Sequence, residues 1–421
     1  MAKGKLWNRH SPLSLEQDLK GDPKGRIFES RAGIKDLTKI LVCGSSVDTV
    51  KQLYNGSLKP DLLEQLQNSL EDGLFRFQSG FGEIWHSGKM AKISGYRYKL
   101  QNNDLGVIIL IASYYSKEDQ PGSHLKIELS PHFIAGRGIQ QIQDTLDLIA
   151  HNILTDYQAA GVAVHLALDV QNWQPPQDFQ ERFSTYARAV RSYDGIVDFQ
   201  FDDLSTIAVK YGKTQAETYM FGKANALQTC IYDKTKEIQT RDKVDYFQRY
   251  WEAYTFGQYN PEKPVWRIEM RLHHRIIREI GEGMEETLEA FHQVTAHLTD
   301  IWRYALNRNR LDHSSVYIDP AWQLFLEEAE FYLPPNGVYM RRKKKQDDSA
   351  IGKNISFLVG NLVSLCARHH HTAPQVMKQL KRLDCYEDIV RYYRSRNLTE
   401  SDLRQHIEKG LCLRRLIGKA A

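Results

Sequence analysis

The stretch ETYMFGKANALQTCIYDK, Glu217 to Lys234, and the stretch VWRIEMRL, Val265 to Leu272, decide how this chain is read. The first predicts a hairpin: a strand to Gly222, a turn through Lys223 to Ala226, and a return strand into Ile231, Tyr232, Asp233 and Lys234. The second predicts a strand whose side chains alternate between faces. Arg267, Glu269 and Arg271 then share one face, and Trp266, Ile268 and Met270 share the other. One charged face and one apolar face is what a site-bearing strand needs; it is also what a solvent-facing strand shows.

Outward from this pair the chain keeps the same texture. Toward the N-terminus a strand is predicted at Val47 to Tyr54, and a short helix at Lys59 to Asn68 with Pro60 at an early position. Four short strands follow, at Gly82 to His86, Gly95 to Gln101, Gly106 to Ala112 and His124 to Leu129. Ile139, Ile142, Leu146, Ile149 and Ile153 recur at helical spacing, which predicts a helix to about Tyr157. The order then repeats: a strand at Val162 to Val170, a helix at Asp178 to Val190, strands at Thr206 to Tyr211, Thr218 to Gly222, Leu227 to Asp233 and Val265 to Leu272, and a helix at Lys243 to Tyr254. This predicts an α+β fold, an antiparallel-sheet body made of two related halves followed by a helical C-terminal region. The expected divisions are a loosely ordered arm over 1–40, the α+β domain over 41–281, a helical extension over 282–335 that includes amphipathic runs at Met284 to Leu306 and Pro320 to Leu333, and a basic helical module over 336–421.

The 421 residues carry a net charge of only +4, unevenly placed. From Asn336 onward there are eighteen Lys and Arg against eight Asp and Glu, a net +10 that leaves −6 for the preceding residues. An acidic body with a basic tail suits contact with a phosphate backbone, and it equally suits a solvated helical tail. Five scattered cysteines with no CxxC pair point to a reducing compartment and away from a zinc ribbon. The opening residues lack an apolar signal core, and no apolar run reaches the length of a membrane span, so a cytoplasmic protein is expected. Arg368-His369-His370-His371 invites a metal reading, but three consecutive residues do not face one ion.

The pairing of ETYMFGKANALQTCIYDKTKE with VWRIEMRL about thirty residues later resembles the replication initiation factor family, which starts rolling-circle replication of plasmids and some filamentous phages. LKIELSPHFI resembles that family's basic-hydrophobic-Glu strand, GVAVHLALDV its strand of pattern G-x-x-R-L-D-L-A-x-D, and SSVDTVKQLYNGSLKPDLLEQL its first strand and helix. The resemblance spans Ser46 to Leu306 and implies a catalytic body that nicks one strand of a double-stranded origin. It implies Tyr232 as nucleophile, with Tyr219 the fallback, leaving a 5′-phosphotyrosine and a free 3′-OH for priming. Phosphoryl transfer needs charge neutralised at the scissile group. The expected ligands of a divalent ion, Mg²⁺ or Mn²⁺, are Glu128, His165, Asp169 and Glu269. His165 stands where the family has Asp, and Ala163 where it has a basic residue, so a shifted metal site is one expectation. Arg267 is expected to hold the scissile phosphate, and Lys234 to lower the phenol's pKa. Arg271 and the run Arg341, Arg342, Lys343, Lys344 and Lys345 are expected on DNA. The family also implies single-stranded DNA at the nick, a host helicase and polymerase as partners, and a homodimer. A relaxase of a mobile element, or a DNA-binding relative without catalysis, fits the same pattern.

Overall fold

Among the described residues eleven antiparallel strands form one sheet, and the two longest lie side by side at its centre. A computed structural model of the protein describes residues 26–30, 33–77, 83–187, 190–193, 218–223, 225–240, 244–314, 317–334, 348–394 and 398–416. The described chain starts with a hairpin, β1 (Ile27–Ser30) and β2 (Gly33–Asp36), within the segment read as a loose arm. The 18-residue strand β3 (Leu41–Leu58) follows. Helix α1 (Pro60–Asp72) carries the chain to one edge of the sheet. From there β4 (Leu74–Phe75), β5 (Trp85–Lys89), β6 (Tyr96–Asn102), β7 (Val107–Ser113) and β8 (Gly122–Leu129) step back inward until β8 pairs with β3. Helices α2 (Pro131–Ile134) and α3 (Ile139–Ile153) complete this half.

The second half follows the same plan. Its long strand β9 (Leu154–Gln171) also has 18 residues and pairs with β3. The one-turn helix α4 (Phe179–Arg182) and strand β10 (Phe183–Thr185) lead toward the opposite edge. There β11 (Val190–Tyr193), β12 (Thr218–Phe221), β13 (Leu227–Asp233) and β14 (Val265–Leu272) step inward until β14 pairs with β9. Helices α5 (Lys234–Thr240) and α6 (Val244–Tyr254) lie between β13 and β14, and α7 (His274–Met284) follows. The resulting order is β11-β12-β13-β14-β9-β3-β8-β7-β6-β5-β4, with each half's first strand beside its last. This is the α+β architecture that the sequence predicts.

One face of the sheet is the core. Ile268, Met270, Leu166, Leu168, Val50 and Ile127 point into it and are buried. The helices α8 (Phe291–Val294) and α9 (Leu298–Arg308), the strand β15 (Asn309–Leu311) and the helix α10 (Pro320–Glu328) add Phe291, Trp302, Trp322 and Phe325 to the same core. The described residues of this stretch therefore contribute to the body's core.

Three predicted helices differ. The helix at Asp178 to Val190 is a single turn followed by β10, because Phe179 and Phe183 bury into the core and β10 pairs with the distant β15. The helix from Ile139 stops at Ile153, where β9 starts at once. The run from Met284 breaks at Glu285, which has a left-handed φ of 59°. The segment after it is held by the buried Gln52, whose amide donates to Glu289 O (2.8 Å) and accepts from Phe291 N (2.9 Å).

Residues 340–421 form a separate unit. Its helices α11 (Asp348–Arg368), α12 (Ala373–Leu380), α13 (Tyr386–Arg394) and α14 (Glu400–Leu416) bury a core of their own around Val359, Val376, Leu380, Ile389, Leu403 and Ile407. The strand expected at Thr206 to Tyr211 and the basic run Arg341 to Lys345 lie outside the described residues. Among the described residues, no helix is long and apolar enough to cross a membrane.

Candidate functional site

The face of the sheet opposite the core carries the polar residues, and strand register puts them side by side. Tyr232 of β13 pairs with Arg267 of β14, and Arg267 with Asp169 of β9. One step along, Cys230, Glu269 and Ala167 align; the next row is Gln228, Arg271 and His165. On β3 the register shifts between Val47 and Thr49, and Asp48 falls at that irregularity. Such an extra residue re-aims a side chain out of the regular alternation.

Glu269 is the hub. Its Oε2 accepts from the Tyr232 hydroxyl at 3.0 Å. Its Oε1 accepts from Arg271 Nε at 2.8 Å and lies 3.4 Å from His165 Nδ1. Burial alone would raise this carboxyl, but Arg271 and then His165 hold it well below the usual carboxylate range. The Tyr232 phenol moves the other way: burial pushes it well above 10, Glu269 adds to the rise, and Arg267 opposes it. Burial also pushes His165 below 6.5, against the Glu269 hydrogen bond, so its imidazole is neutral at pH 7.

A second knot lies beside the first. Arg267 is fully buried, and its Nε and Nη2 donate to the two oxygens of Asp169 at 2.6 and 2.8 Å. Its Nη1 donates to Asp48. Asp169 also accepts from Trp251 Nε1 at 2.8 Å. Helix α6 covers this end of the polar face, with Phe247 and Trp251 packed around Cys43 and Val265. Gly44 permits that approach: a Cβ there would sit 2.4 Å from the Tyr250 ring.

The expected residues are thus sorted. Tyr232, Glu269, His165 and Arg271 come together. Asp169 is engaged by Arg267 and Trp251 instead of joining the ligand group. Arg267 meets two carboxylates at full burial, so it is not presented to a phosphate. Lys234 bonds Glu237 at 2.6 Å and lies 5.7 Å from the Tyr232 ring centre, over the ring. Glu128 accepts from Lys126 at 2.6 Å, with Lys51 3.8 Å away. Tyr219 pairs with Ile231, faces the core and packs on Phe179. Among the described residues, the group whose ligand atoms lie within 4.8 Å of one another is Asp48, His165 and Glu269. Asp48, within SSVDTVKQLY, is not among the residues that the sequence points to, because a local strand irregularity leaves no mark in a hydrophobic pattern.

These pKa directions make stability depend on pH. His165 is held neutral, and His274, which burial and then His273 push down to about 4, is neutral too. In the unfolded chain both take up protons near pH 6.5 while the folded chain does not, so stability falls as pH drops below 6.5. Glu269 extends the loss, since its unfolded carboxyl protonates near 4.5 before the folded one. The melting temperature is expected to fall steadily from pH 7 to pH 4.5. His274→Gln should flatten the upper part of that fall; an identical profile in circular-dichroism melts would remove His274 from the account.

Fold and site define the class: an α+β protein with a Tyr-Glu-His-Asp cluster, buried except for the half-buried Asp48, on one face of an eleven-stranded antiparallel sheet. Over 425 residues the chain is 35% identical to the "Uncharacterized protein ORF430" of Pseudomonas phage Pf1, covering 96% of each chain. It belongs to the same family as that phage protein. No family model matches the chain, and no solved structure matches it.

Proposed function

We propose that this protein is a rolling-circle replication initiator that nicks one strand of an origin with Tyr232. The observation that carries the reading is the 3.0 Å hydrogen bond from the Tyr232 hydroxyl to Glu269, inside a cluster that also holds Arg271, His165 and Asp48. Kinship with a phage protein suits a replicating element. In the step envisaged, the Tyr232 oxygen forms a bond to phosphorus while the bond from phosphorus to the 3′ oxygen breaks. The phenol proton passes to Glu269, and the 3′ oxygen takes a proton from water as it leaves, giving the hydroxyl that primes a polymerase. Glu269 is a weak base while Arg271 and His165 hold it; a phosphate that draws Arg271 away makes it a stronger one. The reading also brings double-stranded origin DNA, single-stranded DNA at the nick, a host helicase and polymerase, and a second copy of the chain as partners.

Asp48, His165 and Glu269 fit a divalent ion by their chemistry, two carboxylates and a neutral imidazole. The imidazole favours Mn²⁺ over Mg²⁺. Such an ion would stabilise charge on the phosphoryl oxygens as a Lewis acid. Supercoiled plasmid carrying the DNA that flanks the gene, incubated with protein and Mn²⁺, should yield relaxed circles with protein on the 5′ end. Glu269→Gln should raise the Mn²⁺ needed for half-maximal nicking by about tenfold. If its titration matches the wild type, Glu269 is no ligand.

A second reading, DNA binding without cleavage, is favoured by the 4% exposure of Tyr232. Tight binding of the flanking DNA with no nick under Mg²⁺ or Mn²⁺ would establish it.

A further inference from the structure

Beyond Arg271 the polar face opens into a cavity of about 350 Å³. Lys51, Lys126 and Arg271 line it, with His165, His273 and His274. Among the described residues no carboxylate lines it; Glu128 and Glu269, which answer these cations, are buried behind the wall. Ser113, Ser116 and Ser123 add hydroxyls. Tyr115, also on the lining, is 78% exposed. The wall is built: Gly161, with φ of 134°, lets His274 lie against β9, where an added Cβ would come within 3.2 Å of the His274 Cβ and 3.4 Å of its ring.

Cations and hydroxyls at the base of a pocket suit a phosphate, and an aromatic ring at its rim suits a stacked base. We propose that this cavity is a nucleotide pocket, taking a phosphate against Lys126, Lys51 and Arg271 and a base on Tyr115. The proposal deepens the nickase reading and rests on it for its role: Arg271 joins the pocket to Glu269 and Tyr232, so the occupant is the nucleotide beside the scissile bond. The recognised chemistry is a nucleoside phosphate, supplied by single-stranded DNA or by a free mononucleotide.

The test measures binding of end-labelled oligodeoxythymidine by fluorescence anisotropy across a salt series, with thymidine 5′-monophosphate as competitor. Tyr115→Ala, at an exposed position that spares the fold, should weaken binding by about five- to tenfold. Lys126→Met should weaken it similarly and reduce the slope of log affinity against log salt by about 0.7. Competition by the mononucleotide at micromolar concentration marks a free nucleotide as the source; competition only by oligonucleotide marks the strand. Unchanged affinity in Tyr115→Ala together with an unchanged salt slope in Lys126→Met overturns the pocket, whether or not the wild type nicks. Absence of a Tyr232 adduct with both variants still impaired overturns the nickase and leaves the pocket standing.

Discussion

Tyr232→Phe is expected to reduce strand nicking by about a thousandfold or more and to erase the covalent 5′ adduct, with origin binding within about twofold of the wild type. The change removes one oxygen. Ring, strand pairing and burial are retained, and Glu269 keeps Arg271 and His165 as partners. The fold should lose about 1 kcal/mol, the worth of one hydrogen bond. The loss of nicking is then chemical and not structural. Tyr219 does not substitute, because it faces the core on the other side of the sheet. Gel analysis of supercoiled DNA, followed by mass spectrometry of the DNA-linked peptide, reads the outcome. A wild-type adduct on any other residue, or full nicking by Tyr232→Phe, removes Tyr232 from the chemistry.

What the sequence disclosed follows from how local each signal is. The strands over Leu227–Asp233 and Val265–Leu272 were readable to the residue, since alternation is a two-residue pattern and turn residues bound both ends. From that alternation came the common face of Arg267, Glu269 and Arg271. The two long central strands were underestimated because their pairing partners lie far away in the chain: β3 pairs with β8 and β9, and β9 with β3 and β14. The helix expected at 178–190 failed for the same reason: its Phe179 and Phe183 suit a helix face or a sheet, and β15, more than a hundred residues later, decides between them. Within the site, pairing partners were invisible. Asp169 and Glu269 look alike as strand carboxylates, and only the order and register of the strands give the first to Arg267 and bring Tyr232 to the second. Asp48 needed a strand irregularity, and the cavity needed six strands in order.

Arg267→Met should be the most destabilising single change in the site, costing about 3–5 kcal/mol. The guanidinium is fully buried between two carboxylates, with Phe247 of α6 at 5.1 Å from its centre. Methionine fills much of the volume but leaves Asp169 at 1% exposure with Trp251 Nε1 as its remaining hydrogen bond, and leaves Asp48 without its cation. An uncompensated buried carboxylate is the main cost, so neutralising it should restore part of the loss. The double change Arg267→Met with Asp169→Asn is expected to recover about 1–2 kcal/mol relative to Arg267→Met alone, which two independent losses would not do. Urea unfolding measures both. A loss below about 1 kcal/mol for the single change would mean that Arg267 is not the counter-charge of this knot. The same variant separates support from chemistry. If Arg267 acts by holding Asp48 in place, the folded fraction of Arg267→Met needs more Mn²⁺ for half-maximal nicking, yet reaches a comparable rate when saturated. If the guanidinium instead contacts the scissile phosphate after an opening of the site, the saturated rate itself falls and no metal concentration restores it.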